Sequence, residues 1–538
     1  MSKQSLHLVQ SERLLEGKGV AITDYLKIAL LIKCIIPALK CASTDKARGS
    51  VLTLALIAFE HDDEYVHDEE IKLGADFTIC NCLRRAVAID VDSRETDRFC
   101  RLLESIYKCS DAIATASFCR HGAILLPLLV TIASSATSSL RSKMIATRLL
   151  QRSNPDGLIL SQIKDADLLL IAMVRFLRNG SADCQNNTLL ALIGITMHPQ
   201  SKPDVARFPG LLEAVVESAE TCEGGALAVL VNLALDSRSK EAITKTRGFL
   251  QLLKNSTSSK ESAIVRSACR CLLYLSSSSF VNQALVTFES GVLLDRLADL
   301  LGERCIDVKM RVLQTISNLV SESTADALGY VSNLMEQLAD IGSSSPATGC
   351  SVIASKAIKR LSCYMRTRHG SHETLCDALV RMAKSPSFDV SLWTARAYIE
   401  QSLNPSNSFV MVRCESTIRG ILCLAKSKHS RVRSSAVEAI ANLSQEAANA
   451  SRLSMHESVV QTLIESINGD HKSGASENER REAVRAILLI ANHASASRRL
   501  AKHQGLIQAL SRYGTSEDGD VELKQAALHG VLMLAPSM

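Results

Sequence analysis

The apolar residues of the segment VRSSAVEAIANLS recur at the spacing of an α-helix. Val432, Ala436, Ala439, Ile440 and Leu443 are separated by 4, 3, 1 and 3 residues. Positions three and four residues apart lie on the same side of a helix, so these five share one apolar face. The pattern predicts a short amphipathic helix that buries this face against its neighbours.

The same frame recurs along the chain. It fits, more or less fully, the segments 264–276, 308–320, 223–235, 353–362, 481–492 and 523–535. Their equivalent Leu or Ile positions are 233, 275, 319, 361, 443, 490 and 534, which gives intervals of 42, 44, 42, 82, 47 and 44 residues. The interval of 82 leaves room for one weaker copy, VSLWTARAYIEQ. A period of this size is typical of stacked helical repeats.

A glycine recurs in step with this frame, at positions 122, 210, 248, 291 and 505, with Ser458 in the same place in another copy. A glycine between two helices suits a tight turn or a close approach of backbones. Each unit is therefore predicted to run as short helix, turn, longer helix, loop and Ala-rich helix.

Composition agrees with a helical chain. Hydrophobic residues make up 46% of the 538 residues and aromatic residues only 4%, with 25 Gly and 10 Pro. Such a chain favours helices over sheets. Its length exceeds what one ordinary core accommodates, so several domains or a repeat array is expected.

These repeats resemble the armadillo-repeat family, although HEAT repeats remain the alternative type. The resemblance implies a right-handed superhelical, all-α solenoid of about 11–12 repeats of roughly 42 residues. Residues 100–538 are predicted to form the single continuous array, and residues 1–99 a degenerate helical start. Because one repeat cannot bury its apolar face alone, stacking would create a continuous core.

In armadillo proteins the third helices line a concave groove, where a ladder of Asn side chains clamps an extended peptide. Carried over by position, the resemblance assigns Asn232, Asn318 and Asn442 to this column, with Tyr274 in its own repeat. An Asn amide can pair with both the N–H and the C=O of a peptide backbone. The alternative is that these amides brace the adjacent loop. The column is broken at Gly194, Arg360, Glu400, Leu489 and Met533.

Nuclear-import adaptors of this family carry Trp four residues before that Asn. Here the position holds Ala228, Arg270, Gln314, Lys356, Arg396, Glu438, Arg485 and His529. The single tryptophan, Trp393, is out of register, which argues against a classical import adaptor. The Arg and Lys residues favour an acidic or phosphorylated partner segment, unless they only form a solvated face.

The remaining chemistry is sparse. The net charge of +5 is nearly balanced and indicates no nucleic-acid footprint. Lys27, Lys33 and Pro37 interrupt the most apolar stretch, so we expect a buried helix there and no membrane span. The 17 cysteines form no CxxC pair and suit a reducing compartment, the cytoplasm or nucleus. The acidic run HDDEYVHDEE is expected to be a solvated loop without metal.

No phosphate-binding loop, GxGxxG, HExxH or GxSxG motif occurs in the chain, so we expect neither an enzyme nor a cofactor. The leading functional hypothesis is a protein-interaction scaffold or adaptor that binds a partner segment in the groove of third helices. The alternative is a transport- or chaperone-type solenoid that handles a client protein or a GTPase.

Overall fold

The computed structural model describes most of the chain from residue 111 onward. The described ranges are 111–135, 137–152, 160–163, 165–331, 333–344, 349–364, 371–469, 474–517 and 520–535, with Thr96, Cys100, Arg101, Leu103 and Glu104. Two predictions therefore lie outside them: the buried helix in the apolar stretch of residues 25–40 and the solvated loop of residues 61–70. In the described ranges the chain forms helices joined by turns, without a β-strand.

The chain divides into two compact units, Met1–Leu252 and Leu253–Met538. The first holds α1 (Asp111–Ser134), α2 (Leu140–Arg152), α3 (Ala166–Asn179), α4 (Ala182–Met197), α5 (Lys202–Arg207), α6 (Leu211–Glu217), α7 (Ala219–Ala234) and α8 (Lys240–Lys245). The boundary falls within α9 (Phe249–Thr257). The predicted boundary at 99/100 stays a prediction.

Most repeats of the second unit consist of three helices in the described residues. It holds α10 (Ser262–Ser276), α11 (Ser279–Thr287), α12 (Val292–Leu301), α13 (Ile306–Leu319), α14 (Ala325–Tyr330), α15 (Leu334–Ser343), α16 (Gly349–Tyr364), α17 (Ser371–Met382), α18 (Phe388–Ser402), α19 (Pro405–Arg413), α20 (Glu415–Ala425), α21 (Ser430–Leu443), α22 (Ala447–Leu453), α23 (Glu457–Asn468), α24 (Glu477–Ala491), α25 (Ala494–Leu500), α26 (Gln504–Gly514) and α27 (Val521–Leu534).

The last helix of each repeat, here called the third helix, carries the predicted apolar frame. In α21, Val432, Ala436, Ala439, Ile440 and Leu443 are all buried. The weaker copy of the frame, VSLWTARAYIEQ, also forms a helix, which is α18. Within the second unit the third helices α10, α13, α16, α18, α21, α24 and α27 contact one another in succession. This stacking confirms an all-α solenoid.

The turn before the second helix explains the glycine column in part of the chain. Gly210, Gly248 and Gly291 have φ of +74°, +81° and +100°, directly before α6, α9 and α12. Asp165 and Asn333 occupy the same turn with φ of 57° and 62°. Asn and Asp tolerate this left-handed conformation better than other L-residues, which is why the turn persists without glycine.

Two members of the column behave differently. Gly122 lies inside α1 and Gly505 inside α26, and neither has a positive φ. The chain enters α26 through His503, whose φ is −87°. Since this residue is not left-handed, the repeat requires no glycine at the turn. The turn interpretation is therefore wrong for these two positions.

Candidate interaction face on the third helices

The candidate site lies on successive third helices of the second unit. Each contributes the ladder residue and the residue one turn before it: Arg270 and Tyr274, Gln314 and Asn318, Lys356 and Arg360, Arg396 and Glu400, Glu438 and Asn442, Arg485 and Leu489. We call these twelve positions the third-helix face. Side chains at positions i and i+4 lie on the same side of a helix, and the contacts below link neighbouring helices.

The ladder asparagines bind the preceding repeat. The Nδ2 atoms of Asn318 and Asn442 donate to Ser276 Oγ and Ser402 Oγ, each at 3.3 Å. In the first unit Asn232 Nδ2 donates in the same way to Thr196 Oγ1, also at 3.3 Å. Each acceptor hydroxyl lies two residues after the ladder position of its own repeat. The amides thus join successive third helices, and their bracing role is a direct feature of the packing.

Two of the broken positions make equivalent connections. Arg360 Nη2 donates to the carbonyl oxygen of Val320 at 3.2 Å, which again is two residues after a ladder position. Glu400 Oε1 lies 2.8 Å from Lys359 Nζ on the preceding third helix. The ladder column therefore joins repeats through several side-chain chemistries, with Asn as only one of them.

Both the Nδ2 and the Oδ1 atoms of Asn442 form hydrogen bonds within the protein. It is 5% exposed, and its Oδ1 accepts a hydrogen bond from Arg485 Nη2 at 2.8 Å. Arg485 also pairs with Glu482 at 2.7 Å. Both predicted site residues are therefore committed to each other and to their neighbours.

The N-terminal part of the face is more open. Arg270 is exposed, whereas Tyr274 and Gln314 are half-buried. Asp307 on α13 pairs with Arg311 at 2.9 Å. Hydrogen bonding from Arg311 lowers the pKa of Asp307, and the positive charges of Arg311, Arg266 and Arg270 lower it further. This carboxylate therefore lies among several cations.

Trp393 is the centre of a cluster whose composition the column comparison did not predict. The Nζ of Lys356 lies 5.3 Å from the centroid of its ring, and the Cζ of Arg396 lies 5.1 Å from it. Lys356 comes from α16 and the other two from α18. Trp393 precedes Arg396 by three residues, so one helical turn brings them together. That spacing was a usable signal, although Trp393 is out of register with the import-adaptor column.

The third-helix face carries more negative charge after α18. Glu438 on α21 and Glu482 on α24 follow Glu400. Burial raises the pKa of Glu438, the charges of Glu482 and Glu400 raise it further, and Arg485 opposes them. These carboxylates are therefore close enough to repel one another. Beyond α18 the cation of the face is Arg485, and it is paired with Glu482.

Metal-binding and thiol chemistry are limited in the portions of the chain that the structure describes. They contain no group of three His, Cys, Asp or Glu side chains that could hold a metal ion. No helix among them is long and apolar enough to cross a membrane. Burial raises the pKa of the Cys269 and Cys271 thiols to about 12. Cys363 and Cys423 are exposed.

Comparison with solved structures establishes the class of protein. No family model and no curated protein matches the sequence. An engineered protein of the Northeast Structural Genomics Consortium is 20% identical, with a TM-score of 0.52 over 76% of this chain and 99% of that one. A second similar chain is 13% identical, with a TM-score of 0.51 over 96% of this chain and 99% of that one. It comes from a structure described as a conserved phosphorylation switch that controls the interaction between cadherin and beta-catenin. The fold is an α-solenoid of stacked helical repeats.

Proposed function

We propose that this chain is a protein-interaction scaffold that binds a partner segment along the third-helix face. The observation that carries the proposal is the cationic stretch of Arg270, Lys356 and Arg396, the last two of which lie over the Trp393 ring. Arg and Trp are the residue types that most often dominate binding energy at protein interfaces. An acidic or phosphorylated segment is the matching partner.

The twelve positions divide between binding and bracing in this proposal. Arg270, Tyr274 and Gln314 are available for contact, because they are exposed or half-buried. Asn442 and Arg485 instead hold the repeats together. The partner would therefore contact mainly the turn before the ladder, with less of the backbone clamping that the resemblance implies.

One of the structures with a similar fold supports a role in protein binding. One of the similar structures concerns an interaction between cadherin and beta-catenin, and we assign protein binding to the present chain by analogy of fold. We also propose that its repeats are of the armadillo type, since the short first helix and left-handed turn recur in α8–α9 and α11–α12.

Affinity purification with mass spectrometry tests the proposal. The full chain is compared with the triple variant Arg270→Glu/Lys356→Glu/Arg396→Glu. Loss of specific partners from that variant is the expected result, because three charges of the contact surface are reversed. Partner recovery that depends on a bound nucleotide, or on a client being unfolded, would instead favour the transport or chaperone alternative.

A matched control carries the same charge change elsewhere in the second unit. Lys384, Arg419 and Lys426 lie on or directly after second helices and are exposed. The variant Lys384→Glu/Arg419→Glu/Lys426→Glu should retain every partner. Equal recovery from the wild type and both variants would refute binding at the third-helix face.

A further inference from the structure

The cluster of Lys356, Trp393 and Arg396 combines two positive charges and one indole. Neither cation forms an ion pair with a carboxylate among the described residues, whereas Lys359, Arg311 and Arg485 nearby each do. Lys356 is exposed, and Trp393 and Arg396 are half-buried. The cluster therefore holds positive charge that no carboxylate in the described part of the chain pairs with.

The two cations lie over the indole and keep N–H donors that can bind an anion. A guanidinium that lies against a ring uses its face, while its N–H donors point outward in the plane. Such a donor fork matches the oxygens of a carboxylate or phosphate. The Lys356 ammonium adds three further donors from the neighbouring helix.

We propose that Lys356, Trp393 and Arg396 form a subsite for one anionic side chain of the bound segment, a phosphoserine, phosphothreonine, glutamate or aspartate. The inference rests on the proposed function, and it assigns a particular chemistry to one point of that face. Trp393 holds the two donors in position, and the anion accepts hydrogen bonds from both.

The carboxylates beyond the subsite disfavour one shift of the segment along the face. On the next third helix the equivalent position is Glu438, close to Glu400 and Glu482. Adjacent helices pack about 8–10 Å apart, and an extended chain advances about 3.3 Å per residue, so one repeat corresponds to about three residues. A segment shifted by that amount would place its anion against carboxylates. Repulsion there and attraction at the subsite disfavour a shift of the segment towards α21.

The unique tryptophan makes the subsite directly observable. Trp393 is the only tryptophan in the chain, so indole emission reports on this cluster alone when the peptides lack Trp. The probes are dodecapeptide pools, random except for a fixed central phosphoserine, glutamate or serine. Affinity is followed by anisotropy of a label on the peptide, and the site by Trp393 fluorescence of the full chain.

We expect the phosphoserine and glutamate pools to bind on the order of tenfold more tightly than the serine pool, and to alter Trp393 emission. The variant Lys356→Gln/Arg396→Gln should lose this preference and bind the three pools with similar affinity. The control Lys384→Gln/Lys426→Gln should keep it. Tighter binding of phosphoserine than of glutamate identifies phosphate as the ligand, and equal binding identifies any carboxylate-sized anion.

The outcomes separate the two proposals. Equal binding of all three pools, or an anion preference that survives in Lys356→Gln/Arg396→Gln, overturns the subsite and leaves the proposed function standing. Binding of no pool, together with an affinity purification that recovers no partner, overturns both. Circular dichroism of each variant confirms that the fold is retained.

Discussion

Arg433 and Glu479 form a buried ion pair between α21 and α24, and breaking it should destabilise these repeats strongly. Both side chains have 0% exposure. Arg433 Nε donates to the two carboxylate oxygens at 3.2 and 3.1 Å. Nη1 and Nη2 also donate to the carbonyl oxygens of Ser427 and Gly474 at 3.0 and 2.5 Å. The guanidinium thus joins two helices and two loop segments.

The variant Arg433→Met removes the cation and retains most of the side-chain volume. It leaves the Glu479 carboxylate buried without its partner, and two loop carbonyls without a donor. Removing one member of a buried pair costs about 3–5 kcal/mol, since an uncompensated charge remains in a medium of low polarity. That is a large fraction of the roughly 5–15 kcal/mol that holds a typical domain folded.

The double variant Arg433→Met/Glu479→Leu provides the decisive comparison. Replacing both charges by apolar groups removes the desolvation cost of the ions as well as their attraction, so the double variant should be clearly more stable than Arg433→Met. The carbonyl oxygens of Ser427 and Gly474 still lose their donors, so it should remain less stable than the wild type. The two substitutions should therefore be strongly non-additive. Arg419→Met is the control, because Arg419 and its partner Glu415 are 72% and 70% exposed, and an exposed pair contributes about 0–1 kcal/mol.

Hydrogen exchange of the full chain is the appropriate assay, because a repeat array need not unfold in one step. Amide protection in α21 and α24 reports the local free energy of opening, and urea unfolding followed by circular dichroism reports the global change. A loss below about 1 kcal/mol in α21 and α24 for Arg433→Met, equal to that of Arg419→Met, would refute the reasoning. A double variant as unstable as the single one would do the same.

Three further predictions follow from single contacts. Asn442→Ala should lower the stability of α21 and α24 by about 1–2 kcal/mol in urea unfolding, since it removes hydrogen bonds to Ser402 and Arg485; an unchanged midpoint would contradict the bracing role. Gly248→Ala should cost about 1–2 kcal/mol because its φ is +81°, whereas Gly505→Ala, inside a helix, should be neutral or stabilising. Glu438→Gln should raise the melting temperature at pH 7. The pKa of Glu438 is raised in the folded state, so ionisation of this carboxyl opposes folding. The destabilisation develops as the pH rises from the pKa of Glu438 in the unfolded chain through its pKa in the folded chain. If the melting temperatures of the wild type and Glu438→Gln depend on pH in the same way, this effect is excluded.

Periodicity was sufficient to predict the fold. The frame of Val432, Ala436 and Ile440 is buried as expected, because apolar spacing reflects the one requirement that every repeat shares. Glycine was a weaker guide, since the left-handed turn also accepts Asp165 and Asn333. The sequence could predict the repeated element well and its local variants less well.

The polar contacts could not be predicted from spacing within one repeat. Arg433 follows Val432, and an arginine in a helix is normally expected to be exposed. It is fully buried here because it pairs with Glu479, which lies 46 residues later in the chain. Trp393 does not occupy the position at which import adaptors carry tryptophan, and its contact with Lys356 comes from the preceding repeat. Partners supplied by another repeat are the information that a single-repeat pattern lacks.

The broken ladder has a physical explanation in these contacts. A side chain whose donor binds the preceding repeat, as in Asn318 and Arg360, cannot give the same donor to a ligand without loosening the stack. Requirements on this column are set by packing, and several residue types satisfy them. The position one turn earlier has no such constraint at Arg270 or Lys356, which are exposed. Its charge can therefore vary from repeat to repeat, and specificity for a partner would reside there.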